Sequence, residues 1–192
     1  RPPSPCSVER IEKGSRRQQE RIRIMEKVEF VYVTFIRTTP QQLWEALTNG
    51  EFSEKYWMGF RIEVEPKAGG ALRIVPPKGM EEHGDHAGKV LVWEPHRKLV
   101  YTWNQKDDPQ VAKKRDSLSR VTYELTPMGE QVRLRLIHEN LLPEDIEKDP
   151  NTLRGINNGW PAVLSSLKSL LETGEPIAFP GACSTKLSAQ DK

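Results

Sequence analysis

GWPAVLSSLKSLLETG runs from Gly159 to Gly174. Trp160, Val163, Leu164, Leu167, Leu170 and Leu171 recur at helical spacing, so one face of this stretch is an apolar stripe. Pro161 suits a first turn and not a helix interior. Asn157, Asn158 and Gly159 break regularity just before it. The spacing therefore predicts a long helix that starts near Trp160 and stops at Gly174, after a looser helical stretch over 151–156. A helix with one apolar face must lay that face on another layer.

The residues upstream supply strands. Residues 118–126 and 131–139 read as a hairpin around Pro127, Met128, Gly129 and Glu130. In its second arm Val132, Leu134, Leu136 and His138 share one face, with Arg133, Arg135 and Glu139 on the other. Val121, Tyr123 and Leu125 face inward on the first arm, and Arg120, Thr122 and Glu124 outward. Four more strands are expected over 61–65, 71–75, 88–94 and 98–104, with 76–87 and 105–117 as polar loops. The run KVEFVYVTFIR, residues 27–37, has strand composition. Thr39 and Pro40 then open a short helix with Leu43, Trp44 and Leu47 on one side, and 52–57 forms a second.

Strand, two short helices, six strands and a long helix do not alternate as a doubly wound parallel sheet requires. The order predicts an α+β fold, a curved antiparallel sheet of about seven strands wrapped around the C-terminal helix, with the short helices closing one end.

The 192 residues suit one domain with tails: a basic flexible leader over 1–24, a folded unit over 25–175 and a polar flexible tail over 176–192. Met25, just before the first strand-like run, reads as a candidate initiator. The leader holds seven Arg or Lys against three Glu, or +4, which leaves −2 of the whole chain's +2 for the rest. The folded part is thus mildly acidic and gives no nucleic-acid signal. No stretch has the roughly 18 apolar residues of a membrane span. The two cysteines, Cys6 and Cys183, lie in the polar ends, and the chain reads as cytoplasmic with no structural disulfide.

Several local patterns, taken together, resemble one family: TPQQLWEALTNGEFSEKYW, the Gly69-Gly70 turn leading into a strand, GKVLVWEPHRKLVYTW, SRVTYELTPMGEQVRLRLIHE and the stretch quoted first. They cover residues 27–174. The family is the activator of heat-shock-protein-90 ATPase homologue 1-like group, within the superfamily of START and birch-pollen-allergen domains. The resemblance implies a helix-grip fold with a hydrophobic cavity between the long helix and the sheet. It implies no shared catalytic motif. Its members include co-chaperone-like domains, lipid and small-molecule binders, and cyclase or aromatase enzymes.

Aromatic side chains line cavities because they offer large rigid apolar surface, with a polar edge on Tyr and Trp. They fill ordinary cores for the same reason. Trp44, Tyr56, Trp57, Trp103 and Trp160 are the candidate lining, and Leu99 and Tyr101 alternate onto the face of Trp103. His138 is the candidate polar member, because it falls on the apolar face of its strand.

HGDH, His83 to His86, offers nitrogen and oxygen ligands, but its spacing matches no metal motif. No metal or cofactor is expected. Glu144, Asp145 and Glu147 read as the acidic start of a helical turn. Lys113 to Asp116, KKRD, reads as a solvated loop tip. Three functions follow as expectations. The first is a module binding a small hydrophobic or amphipathic ligand. The second is a co-chaperone-like module binding a chaperone or another protein. The third is a cyclase, aromatase or hydrolase with His138 as acid or base, which requires an acidic or phenolic partner at that imidazole.

Overall fold

The computed structural model describes residues 28–80, 86–105 and 118–179. The expected leader over 1–24, both cysteines, His83, Asp85 and the KKRD run lie outside them.

Seven strands form one antiparallel sheet: β1 (Val28–Ile36), β2 (Arg61–Val64), β3 (Ala71–Val75), β4 (His86–Glu94), β5 (Lys98–Gln105), β6 (Ser119–Met128) and β7 (Gln131–Leu141). Their order is β1-β7-β6-β5-β4-β3-β2, so β1 and β2 are the edges. Every pair from β2 to β7 joins strands adjacent in sequence, and only β1 pairs across the length of the domain, onto β7. The first five strand expectations match to within two residues, and β6 and β7 run up to two residues further.

β4 begins at His86 rather than Gly88. His86 and Ala87 pair with Gln105 and Asn104, and the strands come close at Gly88, where any Cβ would strike the Thr102 carbonyl. At the β6–β7 turn Pro127 lies within the strand, paired to Val132. Its missing N–H faces the side where β5 has already ended, so the ladder loses nothing.

Helix α1 (Pro40–Thr48) and helix α2 (Gly50–Tyr56) follow β1. Thr39 and Gln42 form a reciprocal capping box, with the Gln42 N–H donating to Thr39 Oγ1 at 3.2 Å. Asn49 caps α2 through the Glu51 N–H at 2.8 Å. The buried Ser53 hydroxyl accepts from the Ile62 N–H at 2.8 Å, which ties α2 to β2. Pro143–Asp145 forms a 3-10 turn, where Asp145 Oδ2 accepts the Leu142 N–H.

The long helix α3 spans Ile156–Thr173. It starts a full turn before Trp160, and residues 151–155 are turns and bends instead of a loose helix. Side chains in the first turn explain the difference. Asn157 accepts the Glu147 N–H at 2.8 Å and donates to the Glu147 carbonyl at 3.0 Å. Asn158 donates to the Asp149 carbonyl at 2.9 Å. These bonds hold the added turn against the preceding loop despite Pro161, which sits inside the helix. Gly174, at φ 85°, ends it in the left-handed conformation. Beyond it, the Ile177 N–H donates to the buried Ser166 hydroxyl at 3.1 Å, so the chain after the helix folds back along it. The apolar face of α3, from Trp160 to Leu167, packs into one core with the inward residues of β3 to β7.

Candidate functional site

The strands bring their inward rings to one end of α3. Leu99, Tyr101 and Trp103 alternate along β5. Tyr123 on β6 stands opposite Leu136 of β7, and Val121 opposite His138. Trp57 caps the end of α2, and Trp160 lies in the second turn of α3.

Trp57, Trp103 and Trp160 form a triangle. Trp160 stands 5.4 Å from each of the other two ring centres. Trp57 and Trp103 lie 6.3 Å apart with only 20° between their planes. These are favourable stacked and tilted separations for aromatic pairs. Tyr123 meets Trp160 edge-on at 6.2 Å, and Tyr101 lies 6.3 Å from Trp103. His86 covers another side of Trp103 at 4.8 Å. Trp103 and His86 are half-buried, whereas Trp57, Trp160 and the tyrosines beneath them are buried, so the cluster opens toward β4 and β5.

Of the six side chains expected together, the structure gathers five: Tyr56, Trp57, Trp103, His138 and Trp160. Tyr56 stacks on Trp57 at 6.4 Å, and its hydroxyl donates to the Ala46 carbonyl at 3.1 Å, so it also fastens α2 to α1. Trp44 faces elsewhere, edge-on to Trp93 at 4.9 Å and to His96 at 6.2 Å. His86 is the member the sequence did not single out for this place. It sat in a stretch expected to be loop, and only its pairing with β5 turns its ring onto Trp103.

His138 is fully buried, and its Nδ1 accepts the Trp160 indole N–H at 3.0 Å. An indole N–H can only donate, so Nδ1 bears the lone pair and the proton of the neutral ring sits on Nε2. The Nδ1 lone pair, engaged by the indole, is not offered to a substrate proton. The partner at that nitrogen is therefore neither the acid nor the phenol that an acid–base reading requires.

Burial pushes the hydroxyls of Tyr56, Tyr101 and Tyr123 well above the ordinary phenol range. Tyr101 and Tyr123 also hydrogen-bond each other. All three remain neutral near pH 7 and act as hydrogen-bonding groups, not as bases. Among the described residues, no three His, Cys, Asp or Glu side chains converge as a metal site requires. No described helix is long and apolar enough to cross a membrane.

The profile of the "Activator of Hsp90 ATPase homolog 1-like protein" family matches residues 37–172. No curated protein matches the chain in sequence. Among solved structures, a Mesorhizobium loti protein is 29% identical, with a TM-score of 0.58 over 75% of this chain and 96% of its own. The Aha1 dimer from Colwellia psychrerythraea is 21% identical, with a TM-score of 0.58 over 77% of this chain and 98% of its own. An HSP90 activator from Plasmodium falciparum is 21% identical, with a TM-score of 0.55 over 74% of this chain and 95% of its own. These likenesses agree with the helix-grip arrangement of sheet and helix.

Proposed function

Because the chain belongs to the activator of Hsp90 ATPase homologue 1-like family, we propose that it is a binding module for a small apolar or aromatic molecule held beneath the N-terminal half of α3. The triangle of Trp57, Trp103 and Trp160, with the His138 imidazole bonded to its edge, is the observation that supports this reading most. Desolvating a ligand against those rings would supply affinity, on the order of 25 cal/mol per Å² before ordering costs. Trp103 and His86 would form the entrance, and the neutral imidazole and phenols would set orientation. Trp44 and Tyr56 would hold the short helices that carry Trp57.

Native mass spectrometry of the protein purified from cells, compared with its denatured mass, tests this directly. A discrete extra mass that disappears on denaturation is the expected result. A clean mass, with tryptophan emission unmoved by a panel of lipids and aromatics, would mean that the rings are only core. The co-chaperone-like reading would then replace this one.

A further inference from the structure

Three buried tyrosines stand against the three tryptophans of the triangle, one to each ring. Tyr56 stacks on Trp57 at 6.4 Å, Tyr101 lies 6.3 Å from Trp103, and Tyr123 meets Trp160 edge-on at 6.2 Å. Tyr101 and Tyr123 hydrogen-bond each other. Beyond the effect of burial, Tyr123 opposes the ionisation of Tyr56, and Tyr56 that of Tyr101, so the three hydroxyls gather at one place.

Their protons can be counted. Tyr56 gives its O–H to the Ala46 carbonyl at 3.1 Å. Two phenols bonded to each other use one O–H between their oxygens, and the other O–H takes no part in that bond. Among the described residues, Tyr101 and Tyr123 make no further hydrogen bond that could engage it. Both side chains are only 2% exposed. A donor left over in a dry cluster costs free energy that a bound acceptor would recover.

Charge is missing from the same place. Among the described residues no Lys, Arg, Asp or Glu is buried. Lys98, Arg120 and Arg135 lie on the strands that carry Tyr101, Tyr123 and His138, but they stand on the outer face and pair with Glu124 and Glu139. His138 is a poor source of positive charge, because a proton on its Nδ1 would face the Trp160 indole N–H.

We infer that the buried end of the ligand is a neutral hydrogen-bond acceptor, an aryl ketone or aldehyde oxygen, received by the O–H that the Tyr101–Tyr123 pair leaves over. This rests on the binding-module reading above and adds its selectivity. A carboxylate would be buried here with neither an ammonium nor a guanidinium to meet it. A plain hydrocarbon would leave the O–H unmet. The pair thus selects against fatty acids on one side and against bare hydrocarbons on the other.

The experiment is equilibrium dialysis of the full chain, near pH 7, against three molecules of nearly one shape: 2-acetylnaphthalene, 2-isopropenylnaphthalene and 2-naphthoate. The ketone should bind about tenfold more tightly than the alkene, and at least about a hundredfold more tightly than the carboxylate. Y101F/Y123F should bring the ketone and the alkene to within about twofold of each other, through loss of ketone affinity. Unchanged tryptophan emission reports an intact cluster in that variant; if the emission moves, the comparison in the unaltered chain decides alone. Equal binding of all three, or tightest binding of the carboxylate, would overturn the inference and leave the binding-module reading standing. A ketone preference that survives Y101F/Y123F in an intact cluster would also overturn it, since another donor would then meet the carbonyl. Binding of none of the three would overturn it as well, and the native mass spectrum would then decide the binding-module reading separately.

Discussion

The two halves of α3 are both fastened to the sheet by hydrogen bonds, yet the two fastenings differ in kind. In the first half Trp160, 3% exposed, gives one indole N–H to a buried imidazole within packed rings. In the second, Lys168 and Glu172 reach the end of β1 from the surface, and their side chains are 39% and 22% exposed. A polar contact inside a dry cluster is costly to break because the orphaned group has no water to turn to. The same contact at the surface exchanges with water at little net cost. The first half therefore carries most of the energy of the grip, and the second shapes the edge of the sheet.

Removing the buried fastening is the most direct way to break that comparison, and it has the largest expected effect. Trp160→Ala strips the rings of Trp57 and Trp103 of their shared neighbour and leaves His138 Nδ1 without its donor. A loss of about 3–5 kcal/mol is expected in denaturant unfolding. Trp160→Phe keeps much of the ring and deletes only the N–H, for about 1–3 kcal/mol. Equal losses in the two variants would assign everything to the hydrogen bond. No loss in the second would reduce the imidazole contact to incidental geometry.

Much of this grip was legible beforehand, and the reasons differ by residue. Period-two alternation placed Tyr101, Trp103 and His138 on the inner face, and the 3–4 spacing oriented α3, because both patterns are local. The first turn of α3 was hidden because Asn157 and Asn158 bond to Glu147 and Asp149, contacts that no helical periodicity encodes, and Pro161 argued against it. Trp44 lies on the inward side of α1 as expected. Which aromatics it meets depends on where β4 and the His96 turn pass, and spacing within α1 cannot tell. The bond between Trp160 and His138 joins residues 22 apart and appears only once helix and sheet are docked.

Alkali reaches the same end of the helix. Tyr56, Tyr101 and Tyr123 are buried, and desolvation raises all three hydroxyls. A group raised in the fold contributes stability that is fully present below its unfolded value, near 10 for a phenol. That contribution fades as pH climbs beyond this value. Tyrosinate absorbance from these three should appear only together with the loss of tryptophan packing. Ionisation while the ring cluster stays intact would show that water already reaches it.

Acid acts on the other half, with the smallest expected effect. The Arg37 N–H first, and the Lys168 ammonium next, hold the Glu172 carboxyl below its usual range. A lowered carboxyl contributes stability above its unfolded value, near 4.3, and loses it as pH falls through the lower folded one. Glu172→Gln should therefore cost at most about 1 kcal/mol at neutral pH, since this contact is part-exposed, and should flatten the acid limb of the stability curve. Because Glu172 also meets the Arg37 N–H at the end of β1, the variant loosens the clasp beside the free edge. Faster exchange at the Arg37 amide, with unchanged tryptophan emission, is the expected signature. A shift in that emission would mean that the two halves of the helix are coupled, and that the surface clasp helps to hold Trp160 against His138.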